Sequence, residues 1–164
     1  MKEKTCCFTG HRSQKLPWGF NEENEQCIIM KDRLYKEIEI AVLEGYEIFI
    51  SGMAIGFDTI CAETVLMLKN KYPNIKLHCV LPCQNQDKLW SNYQRQRYRN
   101  ILAVADNVVV ISENYTSTCM FERNNYMVDN SSKVIALYNG RGGGTKKTID
   151  YAKSKGLLLT IIEP

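Results

Sequence analysis

Ile48-Phe49-Ile50-Ser51-Gly52-Met53-Ala54-Ile55-Gly56-Phe57-Asp58 decides the fold of this 164-residue chain. A short apolar run meets a turn with two glycines, and an apolar-periodic segment, Thr59 to Leu68, follows at once. Strand, glycine turn and helix start is the arrangement that presents several backbone N–H groups to one anion. Glycine removes the Cβ that would otherwise hold a ligand away and permits positive φ. A second turn, Gly140-Arg141-Gly142-Gly143-Gly144-Thr145, stands in the same context near the C-terminus. Two such turns in one small chain point to a phosphorylated ligand.

Working outward, strand-like and helical periods alternate. Strands are expected at Thr5–Thr9, Tyr46–Ser51, Ile75–Leu81 (ended by Pro82), Asn107–Ile111, Lys133–Tyr138 and Leu157–Ile162. The β-branched run at Asn107–Ile111 reads as a fully buried strand. Helices are expected at Glu22–Glu44, Phe57–Lys71, Asp87–Ala105, Cys119–Asp129 and Thr145–Lys155. In the first, Cys27, Met30, Leu34, Ile38 and Ala41 recur at gaps of three and four, and Gly45 supplies the stop. There are no repeats or linker-like stretches, so residues 1–164 read as one domain. The class is α/β: a doubly wound, mostly parallel sheet of about six strands with helices on both faces.

Composition narrows the functions. Apolar residues make up 45% and charged residues 24%, ordinary globular values, and the net charge is +3. That mild basicity permits an anionic ligand without the clustered basic face expected of a nucleic-acid binder. No apolar run is long enough to span a membrane, and no signal-peptide pattern stands at the start, so a cytoplasmic protein is expected. Seven cysteines are an odd number without secretory context, and Cys79 and Cys83 are not spaced as C-x-x-C. They read as buried thiols acting as small hydrophobes. With only His11 and His78 as histidines, no metal site is expected.

In a doubly wound sheet, ligands bind beyond the carboxyl ends of the strands, where strand order reverses. The polar segments follow that rule. Thr9-Gly10-His11-Arg12 follows the first strand, Ser51 to Gly56 the second, Ser112 to Tyr115 the fourth and Asn139 to Gly144 the fifth. Gly52, Met53, Ala54 and Gly56 are expected to form one backbone anion cradle, and Gly142, Gly143, Gly144 and Thr145 another. Taken singly, either turn is a tight connection. Neither matches the dinucleotide fingerprint or the P-loop. Arg12 is placed to pair with phosphate, against a surface ion pair as its plain alternative. Asp58 either complements the helix dipole or accepts from a ribose hydroxyl. Arg95-Gln96-Arg97-Tyr98-Arg99 reads as a solvated helix surface rather than a nucleic-acid contact. The Trp90 and Tyr93 stripe reads as a core-facing helix, with a homodimer face as the alternative.

Ser51-Gly52-Met53-Ala54-Ile55-Gly56-Phe57-Asp58-Thr59 resembles the S-G-x-A-x-G-x-D turn of the SLOG superfamily. This Rossmann-like group includes the DNA-processing protein A family and the LOG-type cytokinin-riboside-monophosphate phosphoribohydrolases. The resemblance to the small bacterial YpsA-like members runs nearly end to end. It takes in Phe8 to Arg12, Tyr93 to Arg99, Cys119 to Asp129 and the terminal glycine turn. It implies a nucleotide-binding fold. In the phosphoribohydrolases, an arginine helix is followed by P-G-G-x-G-T-x-x-E, and the arginine and glutamate carry N-glycosidic cleavage. Here Arg123 and Met127 match the helix, and Gly142, Gly144 and Thr145 match part of the turn. The proline position is Gly140, the next glycine is Arg141, and the acid is Thr148. A threonine cannot act as carboxylate acid or base at neutral pH.

The expectation is a nucleotide or ADP-ribose-like ligand, held as a signal by a sensor or regulator with a protein partner, and no required cofactor. Thr9, Gly10, His11, Arg12, Ser51, Gly52, Met53, Ala54, Gly56, Asp58, Arg123, Asn124, Gly142, Gly143, Gly144 and Thr145 are its candidate contacts. A nucleotide N-glycosidase or phosphoester hydrolase is the enzyme alternative, with Arg123 and a substitute acid, Glu122 or Glu113. Single-stranded DNA binding, as in the DNA-processing relatives, is the third.

Overall fold

The computed structural model describes residues 1–164. Six parallel strands form one sheet: β1 (Thr5–Gly10), β2 (Ile48–Ser51), β3 (Lys76–Cys83), β4 (Asn107–Ser112), β5 (Lys133–Leu137) and β6 (Leu158–Ile162). Their spatial order is β4-β3-β2-β1-β5-β6. The chain winds outward from β1 to β4, then returns to add β5 on the other side of β1. Strand order therefore reverses between β1 and β5, and the crevice at their carboxyl ends is the expected ligand position.

Five helices cover the sheet: α1 (Glu25–Leu43), α2 (Phe57–Lys69), α3 (Asn92–Val104), α4 (Cys119–Asp129) and α5 (Gly144–Ser154). The outward path puts α1, α2 and α3 on one face, where Leu34, Ile38, Ile60, Val65 and Tyr98 meet Phe8, Phe49 and Leu77. The return puts α4 and α5 on the other, where Met127, Val128, Ile149 and Ala152 meet Cys7, Ile50 and Val134. The predicted stripe of α1 is its buried face. All seven cysteines are buried and free. Burial pushes the Cys7 and Cys79 thiols up to about 12, which keeps them inert.

Four expectations are corrected. β4 is an edge strand, not a buried one, and Val108 and Val110 are each 40% exposed; a β-branched run cannot distinguish the two positions. β3 continues through Pro82, because β2 has ended opposite Cys79 and the missing N–H costs no ladder bond on that side. α3 begins only at Asn92, where Ser91 accepts from the Gln94 N–H as N-cap. Trp90 accordingly precedes the helix and packs edge-on against Tyr98. Tyr93 points outward at 72% exposure, so the supposed stripe is not one face.

The Arg95–Arg99 segment is also more engaged than a solvated surface. Arg97 is half-buried between Glu22 and Glu63, donating to both carboxylates, so it anchors the segment before α1 to α2. Arg95 and Arg99 lie 3.6 and 3.5 Å from the buried Asp87 carboxylate.

Candidate functional site

The loop after β1 and the start of α2 lock together through two glycines. A Cβ on Gly10 would lie 2.3 Å from the Phe57 ring, and one on Gly56 (φ 103°) would lie 2.6 Å from the Ser13 nitrogen. This close approach lets the His11 carbonyl accept from the Phe57 N–H, which satisfies the first donor of α2. On its other side, His11 Nε2 accepts from the Asn139 N–H at 3.2 Å. That contact fixes a neutral ring with its proton on Nδ1, and burial holds the pKa below the ordinary histidine value.

The first glycine turn is closed by its own residues. Ala54 N–H donates to Asp58 Oδ2 at 3.2 Å, Met53 N–H donates to Ser51 Oγ, and Ser51 Oγ donates to the Asp58 carbonyl at 2.8 Å. The carboxylate of Asp58 sits where a bound anion would sit. Ser51, Gly52, Met53 and Gly56 consequently stand behind the cavity rather than lining it. Gly52 has a different task from the cradle expected of it: a Cβ there would lie 2.8 Å from Arg123 Nη1. Its bare backbone is the seat on which the guanidinium lies, with Nη1 donating to the Gly52 carbonyl.

The second turn is open. Gly142, Gly143, Gly144 and Thr145 line a cavity of about 170 Å³, together with Thr9, Gly10, His11, Arg12, Ala54, Asp58, Arg123 and Asn124. Gly143 is the N-cap of α5 and provides no side-chain acceptor, so the first N–H groups of that helix face the cavity without a protein partner. The structure thus brings twelve of the sixteen candidates to one cavity at the β1–β5 crevice.

Charge in this cavity is unbalanced. Arg123 is only 3% exposed, yet its acceptors are the Asn124 side chain, the Gly52 carbonyl and the Met120 sulfur, all neutral. Neither it nor Arg12 nor Lys15 forms an ion pair. Burial lowers the Arg123 pKa, opposed by the field of Asp58. Burial raises that of Asp58, opposed first by Arg123. Three cations and a helix N-terminus surround the one carboxylate.

Lys15 and Met120 belong to the wall but were absent from the sequence candidates. Lys15 follows Arg12 by three residues through the single turn Ser13–Lys15. Met120 precedes Arg123 by three on α4, and that spacing puts both on one helix face. Glu122 and Glu113 are exposed and lie outside the cavity. Thr148, at the acid position, is buried with its hydroxyl donating to the Gly144 carbonyl. No group of three or more His, Cys, Asp or Glu residues is arranged to hold a metal ion, and no helix is long and apolar enough to cross a membrane.

The doubly wound sheet with a polar crevice at its switch point is the architecture of a Rossmann-like domain. A family model described as the YspA SLOG family matches residues 6–157, and the chain belongs to that family. It is 33% identical over 144 residues to the uncharacterized SPbeta prophage-derived protein YoqJ of Bacillus subtilis, covering 80% of this chain and 84% of that protein. A UPF0398 protein of Brevibacillus brevis is 30% identical over 154 residues, or 93% and 81% of the two chains. Among solved structures, DNA processing protein A from Helicobacter pylori matches with a TM-score of 0.67 at 17% identity. The match covers 96% of this chain and 64% of that one, and it concerns the fold. The structure of that protein describes its mode of single-stranded DNA binding.

Proposed function

We propose that the cavity binds the phosphate of a nucleotide or ADP-ribose-like derivative, and that the protein works as a sensor or regulator. The observation that carries this reading is Arg123, a buried cation with no carboxylate paired to it, lining the same cavity as the uncapped N-terminus of α5. A buried charge whose direct acceptors are all neutral is costly. Asp58 acts on Arg123 only through its field, without an ion pair; a phosphate oxygen would supply a directly bonded counter-charge and accept from the α5 N–H groups. The volume of about 170 Å³ lies below the ~300 Å³ at the low end of small-molecule pockets. A phosphate and its adjoining sugar fit that space, with the base resting outside. The free oxygen of Asp58 is placed to accept from a sugar hydroxyl.

Binding without turnover is favoured over hydrolysis because the cavity has no carboxylate apart from Asp58, which is held by the Ala54 N–H. The acid position is a threonine bonded to its own helix. Single-stranded DNA is the second reading, favoured by the fold shared with DNA processing protein A. Arg97 is held by Glu22 and Glu63, and Arg95 and Arg99 lie near Asp87, which favours the cavity over this segment as a contact for DNA phosphates.

Calorimetric titration with adenosine, AMP, ADP-ribose, NAD and a thymidine oligomer tests the reading. AMP or ADP-ribose is expected to bind at least about tenfold tighter than adenosine, the increment of one charge-assisted contact. Equal affinity for adenosine and AMP, or no binding by any phosphorylated nucleotide, would overturn it. Binding by the oligomer alone, weakening steeply with salt, would give the site to DNA.

A further inference from the structure

Two guanidiniums converge on one sulfur. Arg12 Nη2 lies 3.0 Å from Met120 Sδ, and Arg123 Nη2 lies 3.7 Å from the same atom. A thioether is a weak acceptor, and neither arginine has a carboxylate to prefer. The sulfur therefore holds the two cations aimed at a common point inside the wall of the cavity. Met120 is half-buried there, unlike Met30, Met53 and Met127, which the core encloses.

We propose that Met120 is a redox-sensitive modification site that gates the anion site, a role that rests on the phosphate-binding reading above. The oxidant is a peroxide. The Met120 sulfur attacks one oxygen of hydrogen peroxide, an S–O bond forms as the O–O bond breaks, and the proton on the transferred oxygen passes to the leaving hydroxide, giving the sulfoxide and water. Sulfur loses two electrons and the peroxide gains them. The product changes the chemistry at the point where the arginines meet. A sulfoxide oxygen carries a strong partial negative charge and accepts from both Nη2 groups, so it competes with the ligand phosphate for the same donors. The reduced thioether yields to phosphate and the sulfoxide does not. Enzymatic reduction of the sulfoxide restores the site.

The test uses the full chain, hydrogen peroxide and AMP as probe, with peptide mass mapping of each methionine. Met1 and Met67 are exposed and oxidise as well, so wild type is compared with Met120→Leu, which keeps both. Oxidation is expected to weaken AMP binding by about tenfold in wild type, the loss of one charge-assisted contact. The affinity of Met120→Leu is expected not to change on oxidation. Met120→Gln, whose amide oxygen stands in for the sulfoxide, is expected to reproduce the loss without peroxide. Three results overturn the proposal: Met120 staying reduced while Met67 oxidises, AMP affinity unchanged with the oxygen mapped to Met120, or an equal loss in Met120→Leu. Failure of unoxidised wild type to bind AMP would instead overturn the phosphate-binding reading, and the gate with it.

Discussion

The two glycine turns carry the same local signature and do different physical work. In the first, Asp58 folds back onto the Ala54 N–H, Ser51 fastens the turn, and Gly52 gives its space to Arg123. In the second, a Cβ on Gly142 or Gly144 would meet nothing within 4 Å, and the helix they open has no side-chain cap. One turn holds an internal anion and an internal cation; the other offers its N–H groups outward. His11 joins them, with its carbonyl on Phe57 and its ring nitrogen on Asn139. Glycine at a strand-to-helix turn therefore marks a close approach, but whether a ligand or the protein itself makes that approach depends on neighbours elsewhere in the chain.

Substitutions break this comparison in a graded order. Gly52→Leu is expected to be the most damaging, losing about 3 kcal/mol or more, because the added side chain must expel a buried guanidinium. Urea denaturation measures it, and near-wild-type stability would show that Arg123 does not rest on that backbone. Asp58→Ala follows at about 2–4 kcal/mol, since the Ala54 N–H loses its partner and Arg123 its nearby countercharge. Asp58→Asn preserves an acceptor and is expected to cost about 1 kcal/mol while tightening AMP binding, as one repelling charge leaves the cavity.

The open turn responds in the opposite way. Gly142→Ala is expected to change stability by no more than about 0.5 kcal/mol, yet its methyl enters the cavity and weakens AMP binding. Loss of stability with binding intact would assign this turn a structural role too.

The smallest effect is expected from the link between the turns. Burial lowers the pKa values of both His11 and His78 from 6.5. Below pH 6.5 the unfolded chain takes up protons that the folded chain resists, so stability falls as pH drops from 6.5 toward the folded-state values. His11→Gln is expected to flatten part of that slope in denaturation midpoints measured across the range.

How much of this was legible in the sequence follows the same division. The alternation of periods located every strand and helix, because the helices carry a buried stripe and the central strands β1 and β5 are apolar runs buried on both faces, though it did not fix the end of β3 or the start of α3. The edge position of β4 was not legible, since three valines in a row look alike in the centre and at the margin of a sheet. The cavity was legible through the rule that loops after parallel strands gather on one edge. The seating of Arg123 on the first turn was not, because nothing in Gly52–Asp58 reveals that a guanidinium 71 residues away would fill the space above Gly52. Lys15 and Met120 were within reach: each stands three residues from an arginine already singled out.

Recognition of phosphate by the unbalanced cations around the open turn is the proposal on which the other binding expectations depend. Lys15 tests it most directly, because it is exposed, unpaired and free of any part in the core. AMP affinity and melting temperature are measured side by side for wild type and Lys15→Ala. Lys15→Ala is expected to bind about tenfold more weakly at an unchanged melting temperature. Equal affinity in the two proteins would contradict it.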